Sequence, residues 1–178
     1  MMANPMYDAS VPVFLRYLAQ LSALVAKAEI HCVHADLDQV AILQARLSPD
    51  MHPFLSQVQI ADDFALRACA SLTMMSKPEY GAAETSLAGL RMRIGRTIRL
   101  LDSLSAARFA GAAQGVIGSQ AGQDMVELEG MDFLRLYAMP NFFFHVAMAY
   151  AILRHVGVDV GKRDFDGFHR YPASLMNR

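Results

Sequence analysis

The chain has 178 residues, of which 54% are hydrophobic and 19% charged, with a formal net charge of −1. That length suits one domain with a sizeable core, and residues 1–178 read as a single unit without repeat or linker. A balance this close to neutral gives no electrostatic support for nucleic-acid binding.

The opening stretch MMANPMYDAS has neither a basic n-region nor an apolar h-region, so no export signal is expected and the cytoplasm is the default compartment. Ser10-Val11-Pro12 reads as a helix start, with Ser10 as N-cap and Pro12 in the first turn. Phe14, Leu15, Leu18, Leu21, Leu24, Val25 and Ala28 then repeat at three- and four-residue steps, which predicts a long amphipathic helix to about His34. Asp36 or Asp38 caps a short helix through Ala45 that carries Val40, Ile42 and Leu43. Ser48-Pro49-Asp50 marks the start of a second long helix, with Phe54, Leu55, Val58, Ala61, Phe64, Ala65, Ala68 and Leu72 as its core stripe. Cys69 falls in this stripe. It and Cys32 form no CxxC and read as buried, reduced thiols.

Ser76-Lys77-Pro78-Glu79-Tyr80-Gly81 is a break. A third long helix begins near Glu84-Thr85 and buries Leu87, Leu90, Ile94, Ile98, Leu101 and Leu104. Arg91, Arg93, Arg96 and Arg99 occupy its other face, and most simply form a solvated surface rather than an anion site. From Ala106 to Glu129 the chain is punctuated by Gly111, Gly115, Gly118 and Gly122, a spacing that matches no phosphate-binding loop. Met125, Val126 and Leu128 alternate weakly with Glu127 and Glu129, as a strand or hairpin would; a flexible cover is the alternative. Met131 to Tyr137 reads as a short helix, and Pro140 opens the fourth long helix, which Gly157 ends. The tail from Val158, with Phe165, Phe168 and Tyr171, is expected to pack across the surface. The expected fold class is therefore all-α: a four-helix bundle with short extra helices and a long, β-capable connection before the last helix.

The uncharged run Leu136–Leu153 belongs to that last helix. Its length lies at the lower edge for a membrane span, but Pro140 and Asn141 interrupt it and no second comparable run exists, so a buried helix is expected and no membrane partner. Asn141 and His145 are four apart in it and share one face: they are either satisfied core groups or the floor of a site.

The sequence contains no Glu-x-x-His, no HExxH and no Gly-x-Ser-x-Gly, which disfavours ferritin-like di-iron, zincin and classical serine-hydrolase chemistry. His31 and His34, at i and i+3, could clamp a metal, but a helix C-terminus simply favours imidazole there. His155 and His169 read as surface or tail residues. If the second long helix already includes His52, then His52, Gln59 and Asp63 share one stripe.

Three segments carry a resemblance. PNFFFHVAMAYAILRHVGVDVGKRDFDG looks like the signature of the DinB-like (DinB/YfiT-like) metalloenzyme superfamily, in a branch whose domain has no known function. RLSPDMHPFLSQVQIADDFA (Arg46 to Ala65) and VPVFLRYLAQLSALVAKAE resemble the same branch, so nearly the whole chain is covered, most weakly across Ala106–Glu129. The resemblance implies a DinB-like bundle, a homodimer, and a divalent metal, zinc or nickel, held by one histidine of the second long helix and an HxxxH pair of the last. Here His145 matches the second histidine of that pair, Asn141 stands in place of the first, and the helix-two position falls at Gln57 or Gln59, with Gln59 favoured by its stripe. Carboxamide oxygens are poor ligands for zinc or nickel, so the metal site looks degenerate; His52 and His145 are its weak remaining candidates and no cofactor is assigned.

Two functions follow. One is a small-molecule-binding module in which Gln59, Asn141 and His145 orient a ligand within walls of Phe142, Phe143, Phe144, Met148 and Tyr150. The other is an enzyme, such as a metal- and thiol-dependent transferase or a hydrolase, that uses His145 with Asp62, Asp63 or Tyr150 assisting.

Overall fold

The computed structural model describes residues 4–81 and 84–169. The elements run α1 (Pro5–His34), α2 (Gln39–Leu43), α3 (Phe54–Leu72), α4 (Leu87–Asp102), a 3₁₀ turn at Ala106–Phe109, β1 (Val116–Ala121), β2 (Asp124–Glu129), a single turn α5 (Gly130–Asp132), a π-helical segment (Phe133–Ala138), α6 (Met139–His155) and α7 (Lys162–Asp166). The described residues are thus mostly helical with one small antiparallel hairpin, as expected for a DinB-like fold.

Helix α3 is the hub. It packs on α6 along one side and on α4 along another, while α1 lies against α4 and carries α7 on its outside. Phe14, Leu18 and Leu21 of α1, Phe54, Val58, Ala61 and Ala65 of α3, Leu90 and Ile94 of α4, and Phe142, Val146 and Ala149 of α6 are all sealed from solvent. Phe14 meets Phe142 edge-on, with centroids 5.0 Å apart, and so ties the first helix to the last.

Two helix starts differ from the sequence expectation. Helix α1 begins at Pro5, not Ser10: the Asn4 side chain accepts from the Met6 and Tyr7 amides, and Pro5 sits where no amide is needed. Pro12 is therefore inside the helix, and the buried Ser10 hydroxyl donates back to Met6 O at 2.5 Å instead of capping. Helix α3 begins at Phe54, because Ser48–Asp50 closes a turn of its own (Met51 N to Ser48 O, 3.0 Å). His52 consequently lies before the helix and off any α3 stripe.

The connection before the last helix is the hairpin, with Val116 opposite Glu129 and Ala121 opposite Asp124. It turns directly into helix at Gly130, where a Cβ would lie 1.8 Å from Ala112 O, so only glycine fits. The short helix and the Pro140 helix expected separately are one continuous run, because the π-helical segment absorbs the amide that Pro140 lacks. The run ends at Gly157 (φ 86°), where Val158 N reaches Leu153 O (3.0 Å) and Gly157 N reaches Arg154 O (3.3 Å), a Schellman closure. Helices α1 and the run Gly130–His155 are long and apolar enough to cross a membrane by length and composition, and both bury faces in the core. The described part of the tail, to residue 169, packs across the surface: Arg16 of α1 holds Asp166 O (2.9 and 3.1 Å) and lies over Phe168. Tyr171 lies outside the described residues.

Candidate functional site

His145, on the α3 side of α6, faces Gln57. Its Nδ1 is 2.7 Å from Gln57 Oε1, and Gln57, buried to 1% exposure, donates its Nε2 to His52 O at 3.1 Å. These two bonds fix the protons. The carboxamide nitrogen is engaged with a carbonyl, so its oxygen must accept, and the imidazole proton therefore resides on Nδ1, leaving the lone pair on Nε2. Burial, with a further contribution from the nearby His52, pushes the His145 pKa down to about 4, so the ring is neutral at physiological pH. The Phe64 ring stacks on it (5.8 Å between centroids, 19° between planes), and Phe144 meets it edge-on.

The other residues singled out from the sequence are distributed differently. Asn141 is half-buried one turn away and donates its Nδ2 to Tyr137 O of its own helix at 2.7 Å, across the junction between the π-helical segment and α6. Gln59 is not the helix-two partner of His145; it donates to Glu84 O at 3.4 Å on another side of α3, and Gln57 takes the place expected for it. Position 57 also carried a signal: it is three residues after Phe54 and four before Ala61, on the buried stripe. His52 is solvent-exposed and contributes its backbone carbonyl. Asp63 pairs with Lys77 at 2.6 Å. Tyr150 packs on Phe165 of α7, Phe143 on Tyr17 of α1, and Phe142 in the core, so the aromatic run radiates around α6 rather than walling one pocket, and Phe144 is its contact with His145.

A second polar cluster occupies the α3–α4 seam. Asp62, fully buried, takes Arg93 Nε on its Oδ2 at 2.9 Å and faces the Thr97 hydroxyl, which in turn is 3.0 Å from the Tyr80 hydroxyl. The Tyr80 ring lies beneath the guanidiniums of Arg93 and Arg96. Desolvation outweighs Arg93 and Thr97 here and pushes the Asp62 carboxyl up to about 6. The arginine face of α4 is thus not simply solvated: Arg93 is drawn inward by Asp62, Arg96 holds Glu84 (2.6 Å) and Arg91 holds Glu29 (2.8 Å). Sequence reading placed Asp62 only as an assistant to His145, yet its position four residues after Val58 and three before Ala65 marks it as buried. Cys32 and Cys69 are buried and free, with thiol pKa values raised by burial, that of Cys69 to about 12.

Among the described residues, no three His, Cys, Asp or Glu side chains cluster as a metal would require. Residues 6–166 match the model of a family described as a domain of unknown function, DUF1993. The chain belongs to the DUF1993 family. This DUF1993 protein is also similar to a solved structure of a DinB family member protein from Shewanella denitrificans, at 40% identity over 94% of each chain, with a TM-score of 0.84. It is a DinB-like protein by both sequence and fold. No curated protein matches it.

Proposed function

We propose that this DUF1993 protein is a DinB-like four-helix bundle whose family metal centre is degenerate, and that it binds a small organic molecule at His145 without a metal. The observation that carries this reading is the 2.7 Å contact between His145 Nδ1 and Gln57 Oε1. Ligands of one metal aim their lone pairs at a common point. Here Nδ1 carries a proton that is directed at Gln57, and the Asn141 carboxamide nitrogen is directed at Tyr137 O. The donor set of one imidazole and two neutral carboxamides does not fit zinc or nickel. What it offers is a neutral imidazole whose Nε2 accepts one hydrogen bond beside the aromatic surfaces of Phe64 and Phe144. A few polar groups on an apolar wall are the usual equipment of a small-molecule site.

Elemental mass spectrometry of freshly purified, untagged protein tests this, together with melting curves before and after zinc, nickel or manganese. The wild type is expected to carry no stoichiometric metal and to show no thermal shift. The double variant Gln57→His/Asn141→His, which rebuilds a three-histidine set, is expected to take up about one zinc per chain and to melt higher. Stoichiometric metal in the wild type, lost on His145→Ala, overturns the reading.

A further inference from the structure

A separate cavity of about 410 Å³ opens beside the Asp62–Arg93 seam, lined by Gln59, Ile60, Asp63, Phe64, Arg67, Gly81 and Arg93. Its volume lies within the range of small-molecule sites. We infer that this cavity is a second binding site, for a small organic carboxylate with an apolar body, clamped by the guanidiniums of Arg67 and Arg93.

Both arginines are held in place by partners that leave donors unused. Arg93, with its side chain 14% exposed, gives its Nε to buried Asp62, and that bond fixes the plane of the guanidinium at the cavity wall. Arg67 lies over the Phe64 ring, 4.4 Å from its centroid, with Nη1 reaching Gln120 O at 3.4 Å. A guanidinium offers five donors in a rigid fork that matches a carboxylate, and stacking or ion-pairing beforehand lowers the ordering cost of binding. Asp63 also lines the cavity, but Lys77 neutralises it at 2.6 Å; the wall and its immediate partners present three cations against two carboxylates. That excess favours a singly charged anion over a multiply charged phosphate, which would meet Asp63. Ile60 and Phe64 supply the apolar wall, and the Gln59 carboxamide adds a polar edge. The inference does not depend on the proposed role of His145: the two places share the Phe64 ring, and neither needs the other to be occupied.

The test is an NMR-detected titration of the full chain with benzoate, with benzamide and inorganic phosphate as comparisons. Benzoate is expected to saturate and to shift the amides of Gln59, Asp63 and Gly81. Benzamide and phosphate are expected to bind more weakly. Arg67→Gln is expected to weaken benzoate at least about tenfold, with Arg67→Lys in between, because charge-assisted bonds to a carboxylate are lost. Arg67 is half-buried, with the Phe64 ring and a long bond to Gln120 O as its contacts, so both variants are expected to stay folded and to lower the melting temperature only slightly. Arg91→Gln, which removes an arginine of α4 outside this cavity, is expected to leave benzoate affinity unchanged, which separates the clamp from a general loss of positive charge. Benzoate affinity unchanged in Arg67→Gln, phosphate binding tighter than benzoate, or no saturation by ~10 mM would each overturn the assignment.

Discussion

Gln57 and Asp62 are both buried polar side chains of α3, about 140° apart around the helix, and they meet their neighbours in opposite ways. Toward α6, Gln57 faces a neutral imidazole, and the seam carries no charge. Toward α4, Asp62 faces a guanidinium, and the seam holds an ion pair with one carboxylate oxygen lacking a well-formed bond. A neutral pair loses little when desolvated but holds its partners by hydrogen-bond geometry alone. A charged pair is costly to bury and still more costly to break from one side. The same helix therefore carries one seam that holds no charge at neutral pH and one built on an ion pair.

The contrast can be broken most severely at Arg93. Arg93→Leu would strand Asp62 as an unpaired buried carboxylate and is expected to cost about 3–5 kcal/mol at neutral pH in urea unfolding, with a smaller loss under acid conditions where Asp62 protonates. If Arg93→Leu costs less than the removal of an ordinary surface arginine, the seam is not charge-dependent. Titration sharpens the comparison. Asp62 has a folded pKa of about 6, above its ordinary 3.8, so the folded state holds this proton more tightly; its contribution is full below about 3.8 and is lost as the pH rises to 6. His145 has a folded pKa of about 4, below its ordinary 6.5, so its contribution is full above 6.5 and is lost as the pH falls to 4. The two slopes oppose each other across nearly the same window. The Asp62 slope is at most about 1.4 kcal/mol per pH unit, and that of the half-exposed His145 is smaller because solvent screens it. Asp62→Asn is therefore expected to lose stability relative to wild type on acidification from pH 6 to 4, and His145→Gln to gain it. Parallel pH profiles for the two variants would remove the distinction. The smallest effect is expected at the solvated rim: Lys77→Ala, which frees Asp63, should cost no more than about 1 kcal/mol and should fade with added salt.

Much of the helical framework could be read from spacing, since the stripes of α1, α3 and α4 are built from apolar side chains at three- and four-residue steps. Two of the helix starts, those of α1 and α3, could not. Asn4 and Ser10 are both good caps, and which one serves depends on Asn4 also reaching Ala106 O (3.0 Å), a contact distant in sequence. The position of His145 in the last helix was evident because so few polar residues interrupt that run. Its partner was harder to identify. Helix α3 is covered on two sides, so its buried arc is wide and polar residues at 57 and 62 look like surface positions to hydropathy. Arg93 was misjudged for a related reason: an arginine on an amphipathic helix looks solvated until a carboxylate from another helix, unseen in local sequence, draws it in.

The π-helical segment at Phe133–Ala138 has a consequence for how the molecule tolerates change in length. A turn closed by i→i+5 bonds holds one residue more than an α-helical turn, so this stretch behaves as a single accommodated insertion. On its upstream side Gly130 leads in from the hairpin, its amide bonded to Gly115 O at 2.9 Å; on its downstream side His145 meets Gln57. Loss of one residue there would restore ordinary helix with the two sides still nearly in phase, because five α-helical residues turn about as far as six π-helical ones. Hairpin and imidazole could then both keep their partners. The segment thus stores length rather than angular phase, and a single-codon deletion within it is the length change the molecule should tolerate best.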